Sequence, residues 1–162
     1  MSTHAITGAA SGIGAATRQR LLDADHKVIG VDLHDADVVG DLSTPQGRAE
    51  ASAATTELAD GHLDGLVCCA GLGPLSEHPG GLLAAVNYFG TVDFVAGVRD
   101  ALVTAPAASV VVLSSSSTST QPGIPEDLVS LPNLPTRTGH GTKPSDRNGS
   151  AQEYASARSH PG

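Results

Sequence analysis

The run Thr7-Gly8-Ala9-Ala10-Ser11-Gly12-Ile13-Gly14 constrains this chain more than any other stretch. Residues 3–7 before it are short and carry Ala5 and Ile6, as a first buried strand would. Residues 12–25 after it read as a helix, with Ser11 as N-cap and Ile13, Ala16, Leu21 and Leu22 as its apolar face. Three glycines therefore fall in one turn between a strand and a helix. Glycine lets the backbone turn tightly and approach a ligand closely. A helix N-terminus offers unpaired N–H groups and the positive end of a dipole, which suits a pyrophosphate. The next apolar run, Val28-Ile29-Gly30-Val31, ends in Asp32. An acid at that place, about 20 residues beyond the first glycines, can accept both hydroxyls of an adenosine ribose and would repel a 2′-phosphate. Strand, glycine turn, helix, strand and terminal acid in register point to a dinucleotide site rather than to a plain βα turn.

The rest of the chain repeats the alternation. Val38-Val39-Gly40-Asp41-Leu42 reads as a short third strand. Ser43-Thr44-Pro45 is a helix start, a hydroxyl cap followed by proline, and that helix runs to about Asp60 and stops at Gly61. Leu66-Val67-Cys68-Cys69-Ala70-Gly71 is a fourth strand and its exit. After a Gly- and Pro-rich loop, residues 82–103 read as one long helix, too apolar to be solvated all round. Its spare face is expected to pack on a partner subunit, so a homo-oligomer is possible. Ser109-Val110-Val111-Val112-Leu113 is a fifth strand running into four serines. Alternating strands and helices with crossovers of this length imply an α/β fold, a Rossmann-like doubly wound parallel sheet of about five strands. The ligand then lies at the carboxyl ends of the strands.

The pattern stops after about Ser130. Residues 131–162 hold Pro132, Pro135, Gly139, Gly141, Pro144 and Gly149 with no apolar period, and read as an irregular tail. The organisation expected is a dinucleotide-binding domain over 1–130 and an irregular segment over 131–162.

Composition narrows the partners. The net charge is −8 and no basic run is present, which argues against nucleic acid. No apolar stretch reaches transmembrane length, and the N-terminus lacks a basic segment followed by an apolar run, so a soluble cytoplasmic protein is expected. Aromatic residues make up 2%, so the core is expected to be built from Ala, Val, Leu and Ile. Cys68 and Cys69 are adjacent in a strand, should point to opposite faces and are expected to be reduced. The seven histidines show no ligand spacing, and no metal site is expected.

Thr7-Gly8-x3-Gly12-x-Gly14, Asp32, Asp41-Leu42, Ala70-Gly71, Asn87 and the serines after strand five together resemble the short-chain dehydrogenases/reductases. The strings Gly71-Leu72-Gly73-Pro74 and Val86-Asn87-Tyr88-Phe89-Gly90 resemble that family's bacterial hydroxysteroid dehydrogenase/carbonyl reductase branch. The resemblance spans roughly residues 1–130. It implies NAD as cofactor, and a hydride passed between the nicotinamide and a ketone or secondary alcohol, with a hydroxysteroid as one candidate substrate. It implies that Gly8, Ser11, Gly12, Ile13 and Gly14 hold the diphosphate and adenosine side. Asp32 would bind the adenine ribose, Asp41 and Leu42 would flank the adenine, and Ala70 and Gly71 would pass the nicotinamide-side ribose. Asn87 corresponds to the asparagine that supports a water relay to the catalytic lysine. Ser115, with Ser114 as runner-up, corresponds to the serine that donates to the substrate oxygen.

The family's Tyr-x-x-x-Lys is matched only by Tyr154-Ala155-Ser156-Ala157-Arg158. Tyr154 would transfer the proton and Arg158 would stand where the family has lysine. A guanidinium supplies the charge but does not readily pass on a proton. Tyr154 could equally fall at this spacing by chance. The family's later strands and helices have no counterpart in the chain. A fragment, a frameshift after about Leu131 and a natural short form all account for that, and an inactive NAD-binding module is the alternative to an enzyme.

Overall fold

A computed structural model gives the fold and describes residues 1–73 and 78–115. The expected boundary near Ser130 and the segment 131–162 lie outside the described residues. Among the described residues five strands form one sheet: β1 (Thr3–Thr7), β2 (Lys27–Asp32), β3 (Val38–Val39), β4 (Gly65–Cys68) and β5 (Ser109–Val112). Their order is β3-β2-β1-β4-β5 and every pairing is parallel. The chain starts in the middle, winds outward to β3, then crosses back to lay β4 on the other side of β1. That reversal opens a crevice at the carboxyl ends of β1 and β4.

Helices cover both faces. On one, α1 (Gly12–Asp23) lies over a small cluster of Ile6, Ala9 and Val28, with Leu21, Val67 and Cys69 against it. On the other, α2 (Pro45–Leu58), α4 (Gly90–Gly97) and α5 (Arg99–Leu102) cover the larger core. That core includes Ala5, Ile29, Val31, Leu63, Leu66, Cys68, Phe94, Val98 and Leu102. Cys68 and Cys69 thus face opposite sides, and both are free thiols. One of the chain's two phenylalanines, Phe94, is fully buried, so the core is less purely aliphatic than the composition implies.

Three expectations need correction. Of the α1 stripe expected from Ile13, Ala16, Leu21 and Leu22, Leu21 alone packs against the small cluster. Ile13 is 64% exposed, Ala16 and Leu22 are exposed, and Gly14 is the buried residue of the helix. Ile13 sits in the first turn, at the mouth of the crevice rather than over the sheet. β3 is two residues long and does not reach Leu42. Asp41 begins a turn instead, closed by Thr44 N–H donating to the Asp41 carbonyl at 3.3 Å.

The single helix expected over 82–103 is four pieces: α3 (Gly80–Leu83), a π-helical turn (Ala84–Phe89), α4 and α5. The wider i→i+5 turn adds a residue and rotates the apolar stripe, so one periodic reading across it fails. The second break is at Val98, whose ψ of 5° ends α4 before Arg99. Tyr88, Phe89 and Val92 are left 60%, 48% and 47% exposed.

The helix start at Thr44-Pro45 is as expected. Thr44 Oγ1 accepts from Gly47 N–H at 3.0 Å, with proline in the first turn. No helix among the described residues is long and apolar enough to cross a membrane.

Candidate functional site

The glycine turn is shaped by two close approaches. Gly8 has φ +72°, and a Cβ there would lie 2.7 Å from Ala70 N, so only glycine lets the exits of β1 and β4 pass side by side. A Cβ on Gly14 would collide with the Gly8 carbonyl, so α1 docks directly on the turn. Two further bonds tie the exits together. Cys69 N–H donates to the Thr7 carbonyl at 3.0 Å, and Ala70 N–H donates to Thr7 Oγ1 at 3.2 Å. Thr7 is 2% exposed. Its hydroxyl therefore stitches strand to strand, a role that the sequence reading did not assign to it.

The first intrahelical donor of α1 is Ala15, whose N–H reaches the Ser11 carbonyl at 3.0 Å. The N–H groups of Gly12, Ile13 and Gly14 precede it, and such first-turn groups have no intrahelical acceptor. Ser11 holds the N-cap position in extended backbone, but its side chain makes no cap bond. Gly12 has φ +53° and nothing within 4 Å of where a Cβ would stand. The helix end thus presents open space and three backbone donors.

Asp32 closes the second side. One of its oxygens accepts from Ala10 N–H at 2.9 Å and the other from Leu33 N–H at 2.7 Å. Each retains lone-pair capacity for a further donor. The segment after it folds back: Asp37 accepts from Gly30 N–H at 2.7 Å and pairs with Arg18 of α1 at 3.0 Å. The Asp41 turn follows. Ser43 N–H donates to Asp41 Oδ1 at 2.8 Å, and the Ser43 hydroxyl and N–H hold the Asp41 carboxyl below its usual range.

These parts line one cleft of about 650 Å³. All ten residues expected to hold a cofactor border it: Gly8, Ser11, Gly12, Ile13, Gly14, Asp32, Asp41, Leu42, Ala70 and Gly71. Val31, Cys69, Leu72, Leu82, Val86 and Leu113 border it as well and were not expected. Leu82 and Val86 belong to the run expected to form the long helix. Burial pushes both thiols up, Cys68 to about 11, so neither is poised as a nucleophile.

Asn87 lies in the π-helical turn and is engaged by the far rim of the cleft. Its Oδ1 accepts from Leu72 N–H at 2.8 Å, and its amide donates to the Leu72 carbonyl at 3.0 Å. Ser115 follows β5, two residues past Leu113, and is exposed, as is Ser114. Tyr154 and Arg158 lie outside the described residues. Among the described residues no group of His, Cys, Asp and Glu could hold a metal.

A family model described as short chain dehydrogenase matches residues 2–125. A 3-alpha-hydroxysteroid dehydrogenase/carbonyl reductase of Comamonas testosteroni is 44% identical over 115 residues, which are 71% of this chain and 44% of that protein. Among solved structures, the 3-alpha-hydroxysteroid dehydrogenase of Pseudomonas sp. B-0831, complexed with NADH, is 47% identical. It has a TM-score of 0.69 over 75% of this chain and 51% of its own. A short chain dehydrogenase/reductase of Brucella ovis is 27% identical, with a TM-score of 0.59 over 67% of this chain and 59% of its own. The chain spans about half the length of these relatives.

Proposed function

Because the chain belongs to the short-chain dehydrogenase family, we propose that residues 1–130 form a domain that binds NAD in preference to NADP. In this reading the domain serves hydride transfer between the nicotinamide and a ketone or secondary alcohol. A hydroxysteroid is the candidate substrate, on the strength of the Comamonas and Pseudomonas relatives. The observation that carries the reading is that the glycine turn, the open N-terminus of α1 and Asp32 border one cleft with Asp41-Leu42 and Ala70-Gly71.

The residues present fit the cofactor. Gly12, Ile13 and Gly14 offer N–H donors to a diphosphate beside an open helix end, where the dipole favours negative charge. Asp32 accepts the two ribose hydroxyls with its remaining lone pairs and repels a 2′-phosphate. Asp41 and Leu42 flank the adenine, and Ala70 and Gly71 border the other ribose. When bound, NAD supplies the hydride acceptor. Asn87 holds the Leu72 backbone, and so fixes the rim beyond Gly71. Ser115, or Ser114 beside it, donates to the substrate oxygen. By the family resemblance, Tyr154 and Arg158, which lie outside the described residues, are the candidates for the proton transfer and for the positive charge that supports it. The exposed apolar side chains Tyr88 and Val92 are the surface through which two copies would associate.

Asp32→Ala tests the cofactor assignment. NADH affinity should fall about tenfold, the loss of a charge-assisted hydrogen-bond pair, while NADPH binding stays level or improves. Equal NADH affinity in the variant would contradict the assignment. Turnover is tested apart from binding. NADH bound without reduction of a simple ketone would favour the second reading, an NAD-binding module that does not catalyse.

A further inference from the structure

We propose that Arg48 is a positioning residue for the adenosine end of the cleft: from behind, it holds the turn that presents Asp41 and Leu42. Arg48 lies in α2 and is 7% exposed. It reaches three different segments. A terminal guanidinium nitrogen donates to the Leu42 carbonyl at 3.0 Å. Nε pairs with Asp93 of α4 at 2.8 Å. The guanidinium carbon stands 5.9 Å from the centre of the Phe89 ring, in the π-helical turn.

Burying a guanidinium is costly, and for stability alone an apolar side chain of similar volume often does as well. What an apolar residue cannot do is donate to Leu42. That donation matters because β3 ends at Val39, where its ladder with Asp32 stops. Gly40 N–H still reaches the Asp32 carbonyl at 2.9 Å, but the chain then leaves the sheet. Leu42 is also approached closely by Gly90 of α4, where a Cβ would lie 3.5 Å from the Leu42 carbonyl. The planar fork of Arg48 thus fixes the turn while Asp93 fixes the fork, a geometry that a lysine ammonium does not reproduce. Through Phe89 and Asp93 the same side chain ties the adenosine rim to the helical run that carries Asn87, and Asn87 holds the opposite rim at Leu72.

The inference rests on the reading of the cleft as an NAD site, and the test separates the two. Arg48→Met and Arg48→Lys are titrated with NADH, with ADP-ribose and with reduced nicotinamide mononucleotide, beside thermal melts and amide exchange of the ligand-free chain. Positioning requires that NADH and ADP-ribose affinities fall about tenfold in both variants, while the mononucleotide, which lacks the adenosine, is unaffected. It also requires faster exchange at Ser43 and Thr44 without ligand. A lower melting temperature with unchanged ADP-ribose affinity would overturn the proposal, because Arg48 would then only support packing. If the unaltered chain binds none of these ligands, the NAD reading fails. The exchange of Ser43 and Thr44 then decides the role of Arg48, and no change there overturns it. If Arg48→Met does not fold, the same measurements on Arg48→Lys decide.

Discussion

At the scale of single residues, the two cysteines show how one position of register divides chemistry. Cys68 points into the larger core and its thiol is pushed up to about 11, by burial first and by Cys69 second. Cys69 is half-buried and borders the cleft, and burial alone raises it. At about pH 8 both are thiols, so alkylation should be slow at each, but Cys69 should react first because only it is reachable. NADH should slow the Cys69 reaction further. Peptide mapping after iodoacetamide treatment checks both statements, and equal labelling of Cys68 would contradict its burial in the core. The opposite facing was legible from strand alternation. The place of Cys69 in the cleft was not, because the alternation gives a face and not what lies on it. Arg48 was less legible still. A lone arginine in an alanine-rich helix reads as a solvated residue, and its partners Leu42 and Asp93 are brought to it by tertiary packing.

At the scale of elements, the amino ends of the strands carry a cluster that makes stability depend on pH. His4 of β1 meets His26 edge-on, with ring centres 5.0 Å apart. Asp64, just before β4, accepts from Thr3 N–H at 2.8 Å and lies 3.2 Å from His62. His4 is held below the usual histidine value of 6.5, by burial first and by His26 second, against a smaller opposing pull from Asp64. The unfolded chain therefore takes up this proton before the native one does. The contribution is fully present above pH 6.5 and declines as the pH falls from there through the lower native value. Asp64 is held below 3.8, chiefly by the Thr3 N–H, so its contribution is lost only at more acid pH. Melting temperature should thus be level between about pH 7 and pH 8, before the thiols of the unfolded chain ionise, and fall below pH 6.5, with the first part of the fall reduced in His4→Asn. A level profile from pH 7.5 to about 5 would count against this. The long helix teaches the converse lesson about elements. Its apolar content was legible, but the π-helical turn, where Asn87 bonds the Leu72 backbone, and the break at Val98 are not encoded in the periodicity.

At the scale of the whole molecule, the parallel winding and the crevice at the carboxyl ends of the strands followed from features that act locally and repeat. The glycine turn fixes the first βα unit, and an apolar strand after each helix fixes the parallel winding. Apolar runs do not say which neighbours a strand will have. Val110, Val111 and Val112 have the apolar composition of a buried strand, and at the edge of the sheet they are 44%, 51% and 52% exposed. The cleft lies at the carboxyl ends of β1, β2 and β4. The central claim is that this arrangement alone recognises NAD. It is tested most directly by titrating the 162-residue chain with NADH and NADPH and following nucleotide fluorescence. Saturable binding, tighter for NADH than for NADPH by about tenfold or more, is the result that the cleft and Asp32 require. A folded chain that binds neither nucleotide, or that favours NADPH, would contradict it.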